Sequence, residues 1–270
     1  MAFDRNIKIF FDWIAKYDAT YHLGTTGDDV EKLYYEQLAK LDRQPVGGLI
    51  GSDEWTDLFL SAGYSQAGWD RRAKAFSGWV HNGDWQTLKT IYDGANTPGD
   101  DNGFAVYLSM QCSDVKWPQS WATWRKDNWA AYAKAPFETW ANTWYNAPCL
   151  FWPAKPGKPV EVDGSKVSGA LLISEELDAA TPFPGALEAR KRFPNASLIS
   201  LPGGTTHSGS LGGNACLDNQ IADYLATGKL PARKPGKGPD TTYEPLPQPT
   251  PQTVEYRASD PSIRFSYRKP

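Results

Sequence analysis

Two residues suited to acid–base chemistry, Asp178 and His207, each follow a short apolar run within VSGALLISEELDAATPFPGALEARKRFPNASLISLPGGTTHSG, residues 167–209. A carboxylate beside the Nδ1 of a histidine fixes its tautomer and stabilises the imidazolium that forms when Nε2 takes a proton from a serine hydroxyl. These two residues are expected to be the acid and base of such a triad, and the order acid then histidine is that of an α/β sheet enzyme. The serine is harder to place. Gly63-Tyr64-Ser65-Gln66-Ala67 is one residue short of GxSxG, but an elbow of that kind needs a buried strand before it, and residues 1–60 read as helices. The segment 63–68 is therefore expected to be a turn between helices. Ser208 and Ser210 lie too close in sequence to His207 for attack in line, and are expected to bond to the backbone of the Gly203-Gly204 turn.

The elements that would carry the acid and base can be read from periodicity. Val167 to Ser174 is a continuous apolar run suited to a strand covered on both faces. Thr181 offers an N-cap with Pro182 at the first helical position, and the helix so begun runs to Phe193. Ala196 to Leu201 reads as a second strand, Gly203-Gly204 as the turn delivering His207, and Ala215 to Ala226 as a helix closed by Gly228. Two strands cannot make a covered parallel sheet by themselves. Residues 149–230 are thus expected to be the closing edge of a larger, mostly parallel sheet.

The part before them differs in kind. All 12 tryptophans lie between Trp13 and Trp152, and residues 1–148 form a helical, tryptophan-rich unit. Apolar stripes at helical spacing include Phe3, Ile7, Phe10, Phe11 and Ile14; Val30, Leu33, Tyr34, Leu38 and Leu41; Trp69, Ala73, Phe76 and Trp79; and Trp117, Trp121 and Trp124. Gly47-Gly48, Pro98-Gly99 and Pro136 punctuate them. Residues 231–270 form a proline-rich tail, extended to about Pro251, after which TVEYR and IRFSYR could pair as a hairpin.

Composition excludes several classes. A net charge of -3 with scattered basic residues and no recognition motif argues against nucleic acid, and no run of eighteen apolar residues spans a membrane. Three histidines without HExxH, and Cys112, Cys149 and Cys216 without a CxxC pair, make no zinc site; no metal or organic cofactor is expected. The cysteines allow one disulfide and one free thiol. The N-terminus lacks a signal peptide and starts in a helical stripe, so the chain is expected to begin in the middle of a larger fold.

LLISEELDAATPFPGALEARKRFPNASLISLPGGTTHSGS, followed by CLDNQIADYLATGKLP, resembles the C-terminal portion of the secreted actinobacterial tripeptidyl aminopeptidases. These are serine peptidases of the α/β-hydrolase fold related to prolyl aminopeptidases. QCSD around Cys112 and PCLFWP around Cys149 are similar to the family's cap and the join after it, so the likeness covers about residues 1–232. It implies a partial α/β-hydrolase fold, with 1–148 as the helical cap and 149–230 carrying Asp178 as triad acid and His207 as base. It also implies peptides as substrates, release of short peptides from free N-termini, and a secreted enzyme. The family's serine elbow and oxyanion loop lie upstream of the cap. This chain alone is therefore expected to be nearly inactive, its partner being the N-terminal half of the hydrolase fold. Cys112 and Cys149 are the pair the resemblance suggests, and Cys216 is left without its usual partner. An exopeptidase must also bind a free amino terminus, for which a cap carboxylate is suited; Asp114 and Glu138 are the candidates. Two other readings stand beside this one: another capped α/β-hydrolase, an esterase or epoxide hydrolase, and a non-catalytic binding module that uses exposed tryptophans.

Overall fold

The computed structural model describes residues 1–95, 99 and 101–252. Pro98 and the hairpin expected of TVEYR and IRFSYR lie outside the described residues. The first part is built from α1 (Ala2–Lys16), α2 (Asp18–Tyr21), α3 (Gly27–Arg43), α4 (Ser52–Tyr64), α5 (Trp69–Asn82), α6 (Trp85–Ala95), α7 (Asn102–Asp114), α8 (Trp121–Tyr132) and α9 (Thr139–Asn146).

The apolar stripes explain how the helices meet. α1 buries Ile7, Phe10, Phe11 and Ile14 and packs on α3 and α4. α3 starts at a capping box in which Thr26 Oγ1 accepts from Asp29 N at 3.2 Å and the Asp29 carboxylate accepts from Thr26 N, also at 3.2 Å. At the centre, the ring of Tyr34 meets those of Phe11, Trp55, Phe59, Phe76 and Phe137. Burying each such side chain contributes roughly 1.5–3 kcal/mol, so this aromatic cluster is the stable block on which the rest is mounted. The fourth stripe differs from expectation. Trp117 lies outside α8, because Pro118 disfavours a helical conformation at the residue before it and the helix starts only after its Ser120 cap. The Trp117 ring still stacks on Trp124, with centroids 5.5 Å apart.

The second part is a small parallel sheet. β1 (Ala170–Glu175) pairs with β2 (Ala196–Leu201) from Ala170↔Ala196 to Glu175↔Leu201. α10 (Phe183–Arg192) is the crossover and packs on both strands. α11 (Ala215–Thr227) lays Leu217 and Ile221 on Leu171, Ile173, Ile199 and Leu201, and it ends at Gly228 in the left-handed region, φ 72°, where a side chain would be strained. The first strand begins three residues later than its apolar run, because Val167 is held in a turn by Gly164 O. α10 also begins later than expected, at Phe183. The Thr181 side chain does not cap the helix, since its hydroxyl bonds to Asp178.

A third strand was not expected. β3 (Thr241–Thr242), from the proline-rich segment, pairs in parallel with β2. It is two residues long and at an edge, as a segment flanked by prolines must be. The preceding residue, Asp240, is buried with Arg190 of α10. Arg190 Nε donates to Asp240 Oδ2 at 2.8 Å and Nη2 to Oδ1 at 2.6 Å, while Leu198 N and Lys234 N donate to the same carboxylate. Burial raises the Asp240 pKa, but the Arg190 hydrogen bonds and two backbone N–H groups outweigh it and hold the group down at about 2. Further on, Pro249 O accepts from Trp13 Nε1 and Gln252 O from Lys74 Nζ, each at 2.8 Å. The segment thus ties the sheet back to α1 and α5. Among the described residues, β1 pairs with β2 alone, and no helix is long and apolar enough to cross a membrane.

Candidate active site

Asp178 sits in the turn after β1, its side chain 6% exposed. Oδ1 accepts from Ala180 N at 2.8 Å and Thr181 N at 3.0 Å. Oδ2 accepts from Thr181 Oγ1 at 2.8 Å and lies 2.9 Å from His207 Nδ1. An ionised carboxylate only accepts, so Nδ1 carries the proton and Nε2 is left free to take one. The strand ends thus bring together the two residues the sequence singled out.

Parts of the helical unit hold both loops, through residues that the sequence reading missed. His207 N donates to Tyr64 O at 2.7 Å, filling a carbonyl left open at the end of α4, and the two rings meet edge to face with centroids 5.7 Å apart. Asn6 Nδ2, fully buried, reaches Leu177 O at 2.9 Å and Gly63 O at 3.1 Å, with Thr205 O at 3.5 Å. The Arg5 guanidinium donates to the carbonyls of Leu177 and Asp178. Burial lowers the Arg5 pKa and the Asp178 charge opposes that shift. Gln66 Nε2 donates to Thr205 Oγ1 at 2.9 Å. These contacts join residues 57 to 199 positions apart, and no local pattern signals them.

The serines fall where a turn needs them. Ser65 follows a helix instead of a strand, and its Oγ accepts from Ala67 N at 3.2 Å, as expected of an inter-helix turn. Ser208 and Ser210 were expected on the backbone of the glycine turn. Instead they line a cleft of about 190 Å³ with Glu175, Asp178 and Thr181. The turn is held by Gly204 N to Leu201 O at 3.1 Å and by Leu177 N to Gly204 O at 2.9 Å.

The two candidate carboxylates of the helical unit part company. Glu138, half-buried at the start of α9, is near enough to Tyr64 to act on its phenol, whose pKa is raised first by burial and then by the Glu138 charge. Asp114 is exposed at the end of α7, a helix that packs on the turn Ala147–Phe151. That turn carries Cys149, which forms a disulfide with Cys112, their Cα atoms 4.9 Å apart; Cys216 is a free, exposed thiol. Among the described residues, no group of three or more His, Cys, Asp or Glu side chains could hold a metal.

The order strand, acid, crossover helix, strand, histidine places the chain in the α/β-hydrolase class. Residues 135–238 match the family described as TAP-like protein. It is 37% identical over 251 residues, 91% of its length, to the tripeptidyl aminopeptidases of Streptomyces lividans and Streptomyces coelicolor. It is 27% identical over 195 residues, 68% of its length, to carboxylesterase B of Mycobacterium tuberculosis, of which it covers 36%. The chain spans about half the length of the Streptomyces relatives it matches, 47% and 46%.

Proposed function

We propose that this chain contributes the acid and the base of a serine-type peptidase that releases short peptides, tripeptides in particular, from free N-termini. The observation that carries the reading is the contact between Asp178 Oδ2 and His207 Nδ1, 2.9 Å, at the ends of two parallel strands. His207 Nε2 takes the proton of the serine hydroxyl as its oxygen attacks the scissile carbonyl. Asp178 stabilises the imidazolium, which then gives its proton to the leaving amine. Water, deprotonated by the same nitrogen, releases the acyl group and restores the serine. The nucleophile and oxyanion donors belong to a further polypeptide segment, and the free edge of β1 is where its strand would pair. Glu138 faces the cationic amino terminus of the substrate from the cap; Asp114 has no part in this reading.

A second reading, an esterase, is favoured by the likeness to carboxylesterase B and uses the same pair. The test is a hybrid in which this chain follows the N-terminal half of the Streptomyces lividans relative. The hybrid is expected to cleave tripeptidyl p-nitroanilides with free amino termini, and His207→Ala to lower turnover at least about 10³-fold. Turnover of p-nitrophenyl esters alone would favour the esterase. The unfused chain is expected to take up no fluorophosphonate; labelling at Ser65, with turnover lost in Ser65→Ala, would sink the assignment of the nucleophile to another segment.

A further inference from the structure

Glu175, the last residue of β1, is a carboxylate that neither the triad nor the substrate reading uses. Its Oε2 accepts from Thr206 N at 2.6 Å, one residue before His207. The loop closes around it with glycines. A Cβ at Gly204 would stand 2.5 Å from Glu175 Oε2, and a Cβ at Gly209 would stand 2.5 Å from Oε1, both closer than atoms can approach. Ser208, between His207 and Gly209, is held in the left-handed region at φ 56°, a conformation that is strained for a non-glycine residue and needs outside support. The same carboxyl faces the cleft beside Asp178, among the apolar Ile173, Leu201 and Leu217.

We propose that Glu175 is the positioning residue of the His207 loop, anchoring residues 204–209 from beneath through its bond to the backbone one residue before the imidazole. The titratable and charged groups of the surrounding elements can be named. Asp178 lies in the turn beyond it, His207 in the loop it holds, and the Arg5 guanidinium of α1 rests on the carbonyls behind Asp178. Asp218 of α11 is engaged by Gly213 N at 2.9 Å, and Glu176 accepts from Ser200 Oγ at 2.9 Å. Burial raises the Glu175 pKa to about 7, with the Thr206 N–H opposing and Asp178 adding to the rise. Its charge therefore changes in the range where a histidine changes too.

The significance for catalysis rests on the reading of His207 as the base, but the test needs no turnover. The 270-residue chain is titrated by NMR, following the imidazole Cε1–H resonances of wild type, Glu175→Gln and Glu175→Ala; His22 and His81, paired with each other in the helical unit, report that the variants are folded. In wild type the His207 resonance should show two inflections, one of them near the Glu175 value of about 7. In Glu175→Gln the inflection near that value should be absent, because residue 175 no longer titrates. Thr206 amide exchange should stay near wild type in Glu175→Gln, whose amide oxygen still accepts, and rise about tenfold in Glu175→Ala. A His207 curve unchanged in Glu175→Gln would overturn the proposal. So would a Thr206 amide that exchanges no faster in Glu175→Ala. Should the hybrid show that His207 is not the base, this titration would still give its answer.

Discussion

The two six-residue strands, ALLISE and ASLISL, are alike in composition and unlike in burial. Every residue of β2 is buried, whereas in β1 only Ser174 is, and the other five are partly exposed. Among the described residues, β2 has neighbours on both edges and β1 on one. The cover of a strand thus comes from its place in the sheet, and a two-residue edge strand with a buried aspartate behind it is enough to seal β2.

Removing that seal should have the largest effect. Asp240→Ala strands the Arg190 guanidinium in a buried site, and loss of one partner from such a pair costs about 3–5 kcal/mol, measurable by urea denaturation. Because the folded-state pKa lies below its ordinary value, the stabilisation by Asp240 is present above about pH 4 and is lost as pH falls through about 2. Asp240→Ala should abolish that part of the acid transition.

The strands can also be compared side chain by side chain. Leu198→Ala in β2 should cost about 2–5 kcal/mol and Leu172→Ala in β1 less than half of that, since Leu172 is already partly in contact with water. Equal losses would mean that the edge of β1 is as well covered as the centre of the sheet. The smallest effect falls at the end of β1. Glu175 has a raised pKa, so the fold favours its neutral form: that contribution is full below about pH 4.5 and is lost as pH rises through about 7. Glu175→Gln should flatten the fall in thermal midpoint across that window and leave the midpoint below it unchanged.

What was legible in the sequence was what local pattern encodes. The bounds of β2, the helix closed by Gly228, the aromatic stripes of α1, α3 and α5, and the choice of Asp178 and His207 all follow from periodicity, turn residues and position after a strand. What was not legible depends on contacts between distant segments. Thr181 has the composition of a helix cap, and only the placement of Asp178 reveals that its hydroxyl bonds elsewhere. Arg5 and Asn6 look like polar residues on the solvent side of an amphipathic helix; Asn6 is buried because three carbonyls converge on it. β3 carries no strand signal at all, being two threonines among prolines, and its pairing exists because Arg190 fixes Asp240 beside it.

The Asn6 contacts have a consequence for how the site comes into being. Asp178 and His207 are 29 residues apart, while Asn6 is 171 residues from Leu177. Loop-closure entropy grows with the logarithm of separation, so bringing α1 onto the turn after β1 costs roughly 1.5 kcal/mol more than joining the acid to the histidine. The acid–base pair can therefore assemble locally within the sheet unit, and the clamp from α1, the costlier closure, is added to a pair already made.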